Sequence, residues 1–261
     1  MIDKWLMAMD LLRCPGCRAA LNQPGLCTRC CAQLAPNTPC CPRCAEPLGP
    51  SGTRAAACCA RCRHQPPPWR HCHAPWRYAG PARQWLQQAK FHEDLFALRA
   101  LQDMLYRTLG AADLGAVDVI CAIPMPRARL RQRGINVARA LARALAQRHN
   151  LPLRDALQAR DTALQHRRSR QARWQARERF TLGNALPGRH VLIVDDVMTT
   201  GTTLRDASRA VQAAGAASVR VLALLRTPAP QRDADNDEAR TSTAGSQNPA
   251  TSAAHTTASG T

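Results

Sequence analysis

The chain has 261 residues and a formal net charge of +18, from 36 Lys and Arg against 18 Asp and Glu. This length allows one large domain or two smaller ones with a real hydrophobic core, which excludes a peptide hormone or an isolated zinc finger. The sequence has no stretch of roughly 18 apolar residues and no secretory signal at its start. We therefore predict a soluble, cytoplasmic protein without membrane insertion, whose positive charge attracts phosphate-bearing partners.

Thirteen cysteines dominate the N-terminal part, and twelve of them lie between Cys14 and Cys72. An odd number of cysteines without a secretory signal argues against a disulfide framework. Two residues between cysteines let both thiolates of a CxxC pair bind one tetrahedral Zn²⁺ at about 2.3 Å. The four CxxC pairs therefore predict two structural zinc sites, and sequential pairing gives Cys14, Cys17, Cys27 and Cys30 for one ion and Cys41, Cys44, Cys59 and Cys62 for the other.

The register of these pairs is not fixed by the sequence. Cys31, Cys40 and Cys58 stand beside the predicted ligands and can compete with them, and an interleaved pairing also satisfies the spacing. A redox role is the other interpretation of a CxxC pair, but it needs a thioredoxin-like strand and helix around the motif. No such pattern surrounds these pairs, so structural zinc that stabilises a segment poor in large apolar residues is favoured.

Composition divides the chain into three zones. Residues 1–73 are rich in Cys and Pro and are predicted to form the double zinc ribbon. Residues 74–228 alternate apolar strands with Ala-, Leu- and Arg-rich helices. Residues 229–261 contain almost no large apolar side chain, so they are predicted to be a disordered tail.

The middle zone alternates strand and helix patterns in chain order. Helical spacing occurs over 81–109, 137–148 and 204–214, and apolar strand patterns occur over 117–126, 151–159, 190–197 and 218–225. An arginine-dense stretch, 160–179, is predicted to be a mobile loop with some helix. This order predicts an α/β fold with a mostly parallel sheet.

The segment VLIVDDVMTTGTTL, residues 191–204, carries the strongest indication of chemistry. Its apolar strand ends at Asp195 and Asp196, and adjacent carboxylates are good acceptors for two vicinal sugar hydroxyls. The next turn presents backbone N–H groups and the positive end of a helix dipole to an anion; it consists of Thr199, Thr200, Gly201, Thr202 and Thr203. The combination predicts a ribose 5-phosphate site, whereas a simple threonine helix cap explains neither the acid pair nor the density of Thr and Gly.

This segment resembles the motif with which type I phosphoribosyltransferases bind 5-phosphoribosyl 1-pyrophosphate (PRPP). The chain as a whole resembles the ComF family of competence-associated proteins over residues 12–226, which include the CxxC pairs, WRYAGPARQWLQQAKFHED at 76–94, AIPMPRARLRQRGIN at 122–136 and ARDTALQHRRSRQAR at 159–173. The resemblance implies a type I phosphoribosyltransferase-like domain preceded by a small double zinc ribbon. It also implies two structural Zn²⁺ ions and Mg²⁺ with PRPP as ligands.

By position, the resemblance implies that Asp195 and Asp196 are the catalytic residues that hold the ribose hydroxyls, and that residues 199–203 bind the 5-phosphate. It implies that the pyrophosphate faces the turn after the first core strand, with Pro124, Pro126, Arg127, Arg131 and Arg133. Residues 160–173 resemble the flexible loop that covers the site. The family's usual RGFNQ reads RGINV here, with Ile135 and Val137. An Asn usual shortly after Arg173 is also missing; both departures concern the acceptor side.

Two functions follow from these features. The resemblance points to natural transformation, and so implies single-stranded DNA and competence or recombination proteins as partners. The arginines between 127 and 179 fit either a solvated helix face or a surface for pyrophosphate or single strands. The alternative is a metabolic phosphoribosyltransferase that acts on an unidentified acceptor and has no DNA role. The sequence identifies neither the acceptor nor whether turnover occurs.

Overall fold

The computed structural model describes residues 12–48, 58–110, 114–159, 180–183 and 185–228. Contacts group all of these residues into one compact unit. The segments predicted as a mobile loop (160–179) and as a tail (229–261) lie outside the described residues. None of the described helices is long and apolar enough to cross a membrane.

The cysteine-rich segment consists of two units with the same local structure. In each unit the carbonyl of the first cysteine, Cys14 or Cys41, accepts a 2.7 Å hydrogen bond from the residue four positions later. Those residues, Arg18 and Ala45, both have positive φ, at 62° and 52°. Each unit then ends in a short helix, α1 (Thr28–Ala32) or α2 (Ala60–His64). The recurrence of the CxxC pairs therefore corresponds to a structural duplication.

The remaining described residues form an α/β structure. Its helices are α3 (Gly80–Phe91), α4 (Leu95–Thr108), α5 (Arg127–Arg133), α6 (Val137–His149) and α7 (Thr202–Ala213). Its strands are β1 (Cys72–His73), β2 (Trp76–Arg77), β3 (Val119–Ala122), β4 (Leu157–Ala159), β5 (Phe180–Leu182), β6 (His190–Met198) and β7 (Ser218–Arg226).

The main sheet is parallel and is centred on β6 and β7. β6 pairs with β3 on one side and with β7 on the other, and both β1 and β2 pair with the free side of β7. Along β6, Leu192 and Val194 join one hydrophobic core whereas Val191 and Ile193 join another, so the strand is buried on both faces. The predicted α/β fold with a mostly parallel sheet is thereby confirmed.

The two cysteine units pack into different cores. The first unit contributes Cys14 and Cys30 to the core that contains Trp85 and the apolar sides of α3, α4 and α6. The second unit contributes Cys41 to the core that contains Trp69 and the apolar side of α7. Because these cores lie on opposite faces of the sheet, the duplicated segment spans the sheet edge formed by β1 and β2.

The helical spacing over 81–109 corresponds to two helices rather than to one continuous helix. Glu93 has a φ of 50°, which ends the first helix after Phe91. The Asp94 carboxylate then accepts hydrogen bonds from the N–H groups of Phe96 and Ala97 at 2.8 and 3.2 Å. This N-cap starts α4 in a new direction.

Two further differences concern the region after β3. The strand predicted over 151–159 is divided: Leu153 makes one parallel bridge to Ile120, whereas β4 pairs antiparallel with β5. Helix α5 was not predicted, and it has no buried residue. A helix without a buried face has no apolar periodicity, which explains why the sequence pattern gave no sign of it.

Candidate functional site

The eight predicted zinc ligands form two groups in sequential pairing, and within each group all sulfur atoms lie within 4.8 Å of one another. The Sγ atoms of Cys17 and Cys27 are 3.7 Å apart, and those of Cys44 and Cys59 are 3.6 Å apart. A tetrahedral site with Zn–S bonds of about 2.3 Å requires sulfur atoms about 3.8 Å apart. Both tetrads can therefore hold Zn²⁺.

Backbone N–H groups stabilise one thiolate in each tetrad. The N–H of Cys27 donates to Cys14 Sγ at 3.3 Å, and the N–H of Cys59 donates to Cys41 Sγ at 3.4 Å. Burial raises the pKa of both thiols, but these and neighbouring hydrogen bonds outweigh it and lower the pKa to about 6 for Cys14 and about 7 for Cys41. Since the thiolate is the metal-binding form, each tetrad has one ligand prepared at neutral pH.

A cleft of about 470 Å³ opens where β3 and β6 end. The carboxyl edge of a parallel sheet is where open α/β folds bind their ligands. Both acids of the 191–204 segment line this cleft together with three cationic side chains, Lys90, Arg129 and Arg133. The cleft thus combines paired carboxylates with a basic wall.

The two adjacent acids have different surroundings. Asp196 is buried, and its Oδ1 lies 2.6 Å from Lys90 Nζ. Asp195 accepts a hydrogen bond from the Asp196 N–H at 2.9 Å. Burial, and then repulsion from Asp196, raises the pKa of Asp195 to about 7, although this hydrogen bond and Lys90 oppose the rise. The pair therefore consists of one carboxylate held by a lysine and one that titrates near neutral pH.

Asp195→Asn is expected to remove a pH-dependent cost to stability. Between pH 4 and 7 folded Asp195 retains a proton that the unfolded chain releases, so the free energy of unfolding falls as the pH rises through this range. Asparagine cannot ionise. We expect urea denaturation to show the variant gaining about 1–3 kcal/mol relative to wild type between pH 5 and pH 8. A stability difference between variant and wild type that is the same at pH 5 and pH 8 would contradict the raised pKa of Asp195.

The turn at residues 199–203 joins β6 to α7. Gly201 has a φ of 76°, a left-handed backbone conformation that favours glycine, and a Cβ at this position would lie 2.6 Å from the terminal methyl, Cε, of the flexible Met198 side chain. The hydroxyls of Thr200 and Thr202 lie 2.9 Å apart on the exposed side. The first N–H groups of the twelve-residue helix α7 follow directly, and such an arrangement favours an anion.

A buried arginine donates hydrogen bonds to the backbone at the start of this turn. Arg226, at the end of β7, is 1% exposed. It donates hydrogen bonds to the carbonyls of Met198 and Thr199 at 3.1 and 2.6 Å. It also donates to the Cys44 carbonyl at 3.3 Å and forms an ion pair with Glu46. Arg226 therefore connects the second cysteine unit to the start of the 199–203 turn.

Arg226→Leu is expected to lower the free energy of unfolding by about 3–5 kcal/mol, because it removes a buried cation that donates to the Glu46 carboxylate and to several backbone carbonyls. Arg226→Lys supplies three donors and should lose less. Arg209→Leu, on the exposed side of α7, is the matched control and should change stability little. Denaturant titration of the three variants compares them, and an equal loss in Arg226→Leu and Arg209→Leu would show that Arg226 has no special role.

The structure distributes the predicted site residues over three adjoining places. The 470 Å³ cleft is lined by Asp195, Asp196, Thr203, Pro126 and Arg133. A small pocket next to it is surrounded by Asp195 and the whole turn, Thr199, Thr200, Gly201, Thr202 and Thr203. Arg127 instead lines a neighbouring cavity, and Arg131 lines none of the three.

Helix α5 explains this separation of the arginines. Residues four positions apart lie on one side of a helix, so Arg129 and Arg133 face the cleft together while Arg127 and Arg131 point elsewhere. The sequence prediction omitted Arg129 because it omitted α5. It also omitted Lys90, although the rarity of lysine was a signal: Lys4 and Lys90 are the only lysines in the chain.

Comparison with known proteins agrees with this architecture. A family model described as a phosphoribosyl transferase domain matches residues 130–251. The DNA utilization protein YhgH of Escherichia coli O157:H7 is 32% identical over 233 residues, which cover 85% of this chain and 96% of that protein. Competence protein F of Haemophilus influenzae is 29% identical over 226 residues, covering 82% and 96% of the two chains.

A more distant relative is Competence protein ComFC of Bacillus subtilis, which is 26% identical over 160 residues, covering 58% of this chain and 62% of that protein. The similarity to YhgH and Competence protein F extends over nearly their whole length, and so includes the cysteine-rich segment as well as the α/β structure. Together with the two cysteine tetrads and the parallel sheet, this similarity shows that the chain belongs to the ComF family and carries a phosphoribosyl transferase domain.

Proposed function

We propose that this protein binds Mg²⁺ and PRPP in the cleft at the ends of β3 and β6, binds single-stranded DNA, and acts in the uptake and use of DNA. The observation that carries the proposal is the convergence of Asp195 and Asp196 with three cationic side chains beside a glycine-containing turn that opens a helix. The names of the relatives, DNA utilization protein and competence protein, support the DNA role.

Each part of PRPP has a chemically matched group in this cleft or in the small pocket next to it. The carboxylates of Asp195 and Asp196 accept hydrogen bonds from the two ribose hydroxyls. The N–H groups and hydroxyls of residues 199–203 bind the 5-phosphate at the start of α7. Arg129 and Arg133 lie on the wall formed by α5 and are suited to the pyrophosphate.

Lys90 is the cationic side chain of the cleft that contacts the acid pair. In the protein without ligand it neutralises Asp196, which would otherwise be a buried carboxylate beside a second one. Oxygen ligands and phosphates are the partners that Mg²⁺ prefers, and the ion supplies neutralising charge to the pyrophosphate. The chain's own contribution is to hold the ribose and both phosphate groups in a fixed orientation, which is what a phosphoribosyl transfer requires of a protein.

The charge of the chain supports the nucleic-acid half of the proposal. Its net charge is +18, and arginines on α5 and α6 lie exposed next to the cleft. Arginine pairs well with phosphate oxygens, and counterion release makes such binding independent of sequence and sensitive to salt. We therefore expect single strands to bind without strong sequence preference.

Titration of a labelled 20-nucleotide oligo-dT across a series of salt concentrations, with and without Mg²⁺ and PRPP, tests this expectation. Affinity should fall steeply as salt rises, because each phosphate contact releases counterions. A change of DNA affinity on adding PRPP would show that the two ligands are linked and belong to one mechanism. Two results would contradict the DNA role and favour a metabolic phosphoribosyltransferase instead. One is no DNA binding at low salt; the other is a flat salt response together with pyrophosphate release in the presence of some acceptor.

A further inference from the structure

A second cavity, of about 800 Å³, lies beside the cleft and is not used by the PRPP assignment. We propose that this cavity binds a nucleotide unit of single-stranded DNA, with backbone phosphate on the α6 arginines Arg139 and Arg143 and a base against the apolar wall. The inference rests on the proposed function and adds the place where the strand lies.

The cavity adjoins the PRPP cleft directly. The segment Ile123–Met125 forms a wall common to both, and Asn136 and Ala159 also line both. The volume falls within the roughly 300–1,000 Å³ of typical ligand pockets. A strand bound here would lie on one side of the Ile123–Met125 segment and PRPP on the other. The two ligands would therefore be neighbours without competing for the same atoms.

The charge of the cavity favours a phosphate backbone. Among the residues that the structure describes, three arginines line it, Arg127, Arg139 and Arg143, together with one acid, Asp155. Asp155 forms an ion pair with Arg139, and Arg143 makes no ion pair with any described residue. Arg139 and Arg143 are one turn apart on the exposed side of α6, so their guanidinium groups are suited to adjacent phosphate oxygens.

The rest of the lining favours a base rather than a second small anion. Leu130 contributes an apolar side chain that is 39% exposed, and the half-buried Ile135 and the buried Leu157 also line the cavity. The amide of Gln158 provides both a donor and an acceptor at this wall. A free phosphate or pyrophosphate would leave these groups unused, whereas a nucleotide has an apolar face and polar edges to match them.

The test compares Arg139→Gln/Arg143→Gln with Arg189→Gln/Arg209→Gln, which removes the same charge elsewhere. Arg189 precedes β6 at the opposite end of the sheet, and Arg209 is an exposed residue of α7. Fluorescence anisotropy with the same oligo-dT is expected to show at least tenfold weaker binding for the cavity variant and less than threefold for the control. The salt slope should also become shallower by about 1.4 in the cavity variant, at about 0.7 per single-strand phosphate contact.

Calorimetry, together with the outcomes of the DNA titration, separates the ways in which this proposal can fail. Calorimetry with Mg²⁺ and PRPP should give the same affinity for both variants as for wild type, and a loss in the cavity variant would overturn the separation of the two sites. Equal loss of DNA binding in both variants would overturn the location and leave the proposed function intact. Absence of DNA binding by wild type would overturn the proposed DNA role itself.

Arg143→Gln alone keeps the pair between Arg139 and Asp155, and so guards against a folding defect in the double variant. It should show part of the DNA loss with an unchanged melting temperature. Competition by poly-glutamate as strong as that by oligo-dT would overturn the nucleotide assignment in favour of an acidic polypeptide.

Discussion

Cys41→Ser/Cys44→Ser is expected to reduce the zinc content from two ions per chain to one and to unfold the second cysteine unit. A structural zinc site contributes roughly 10–16 kcal/mol to folding in isolated finger peptides, and serine does not replace a thiolate ligand. The effect should extend beyond the unit, because Cys44 and Glu46 are bonded to Arg226, which in turn holds the carbonyls of Met198 and Thr199.

Elemental analysis and denaturant titration of the purified variants measure both effects. Cys31→Ser/Cys40→Ser is the matched control, because these cysteines neighbour the tetrads without belonging to them. The control should retain two zinc ions and near-normal stability. Fewer than one zinc per chain in wild-type protein of normal solubility, or two zinc ions in the Cys41/Cys44 variant, would contradict the zinc assignment.

The features that the sequence predicted are local in the chain. The CxxC pairs and the succession of β6, the 199–203 turn and α7 each lie within a short segment, so spacing and apolar pattern were sufficient. Local sequence patterns did not predict structure that depends on a helix N-cap, or a helix that has no buried side. The break between α3 and α4 depends on Asp94 as an N-cap, and α5 has no buried face to produce periodicity.

The rest of the cleft comes from residues that are distant in the sequence. Lys90 and Asp196 are 106 residues apart, and Arg226 and Glu46 are 180 residues apart. Nothing in either local segment indicates its partner, because the pairing arises only when α3 and the cysteine-rich segment pack against the sheet. The prediction therefore included the acids and the turn but omitted the lysine that neutralises Asp196 and the arginine that supports the turn.

Calorimetric titration of Mg²⁺ and PRPP into wild type and Asp195→Asn/Asp196→Asn tests the central claim most directly. Charge-assisted hydrogen bonds contribute about 1.5–3 kcal/mol each, so the loss of two should weaken binding by at least about 100-fold. Asp195→Asn alone should remain folded and bind at least about tenfold more weakly. Asp103→Asn/Asp118→Asn removes two acids outside the cleft and should bind like wild type. Unchanged affinity in a folded Asp195/Asp196 variant, or no binding by wild type, would contradict the assignment of this cleft to PRPP.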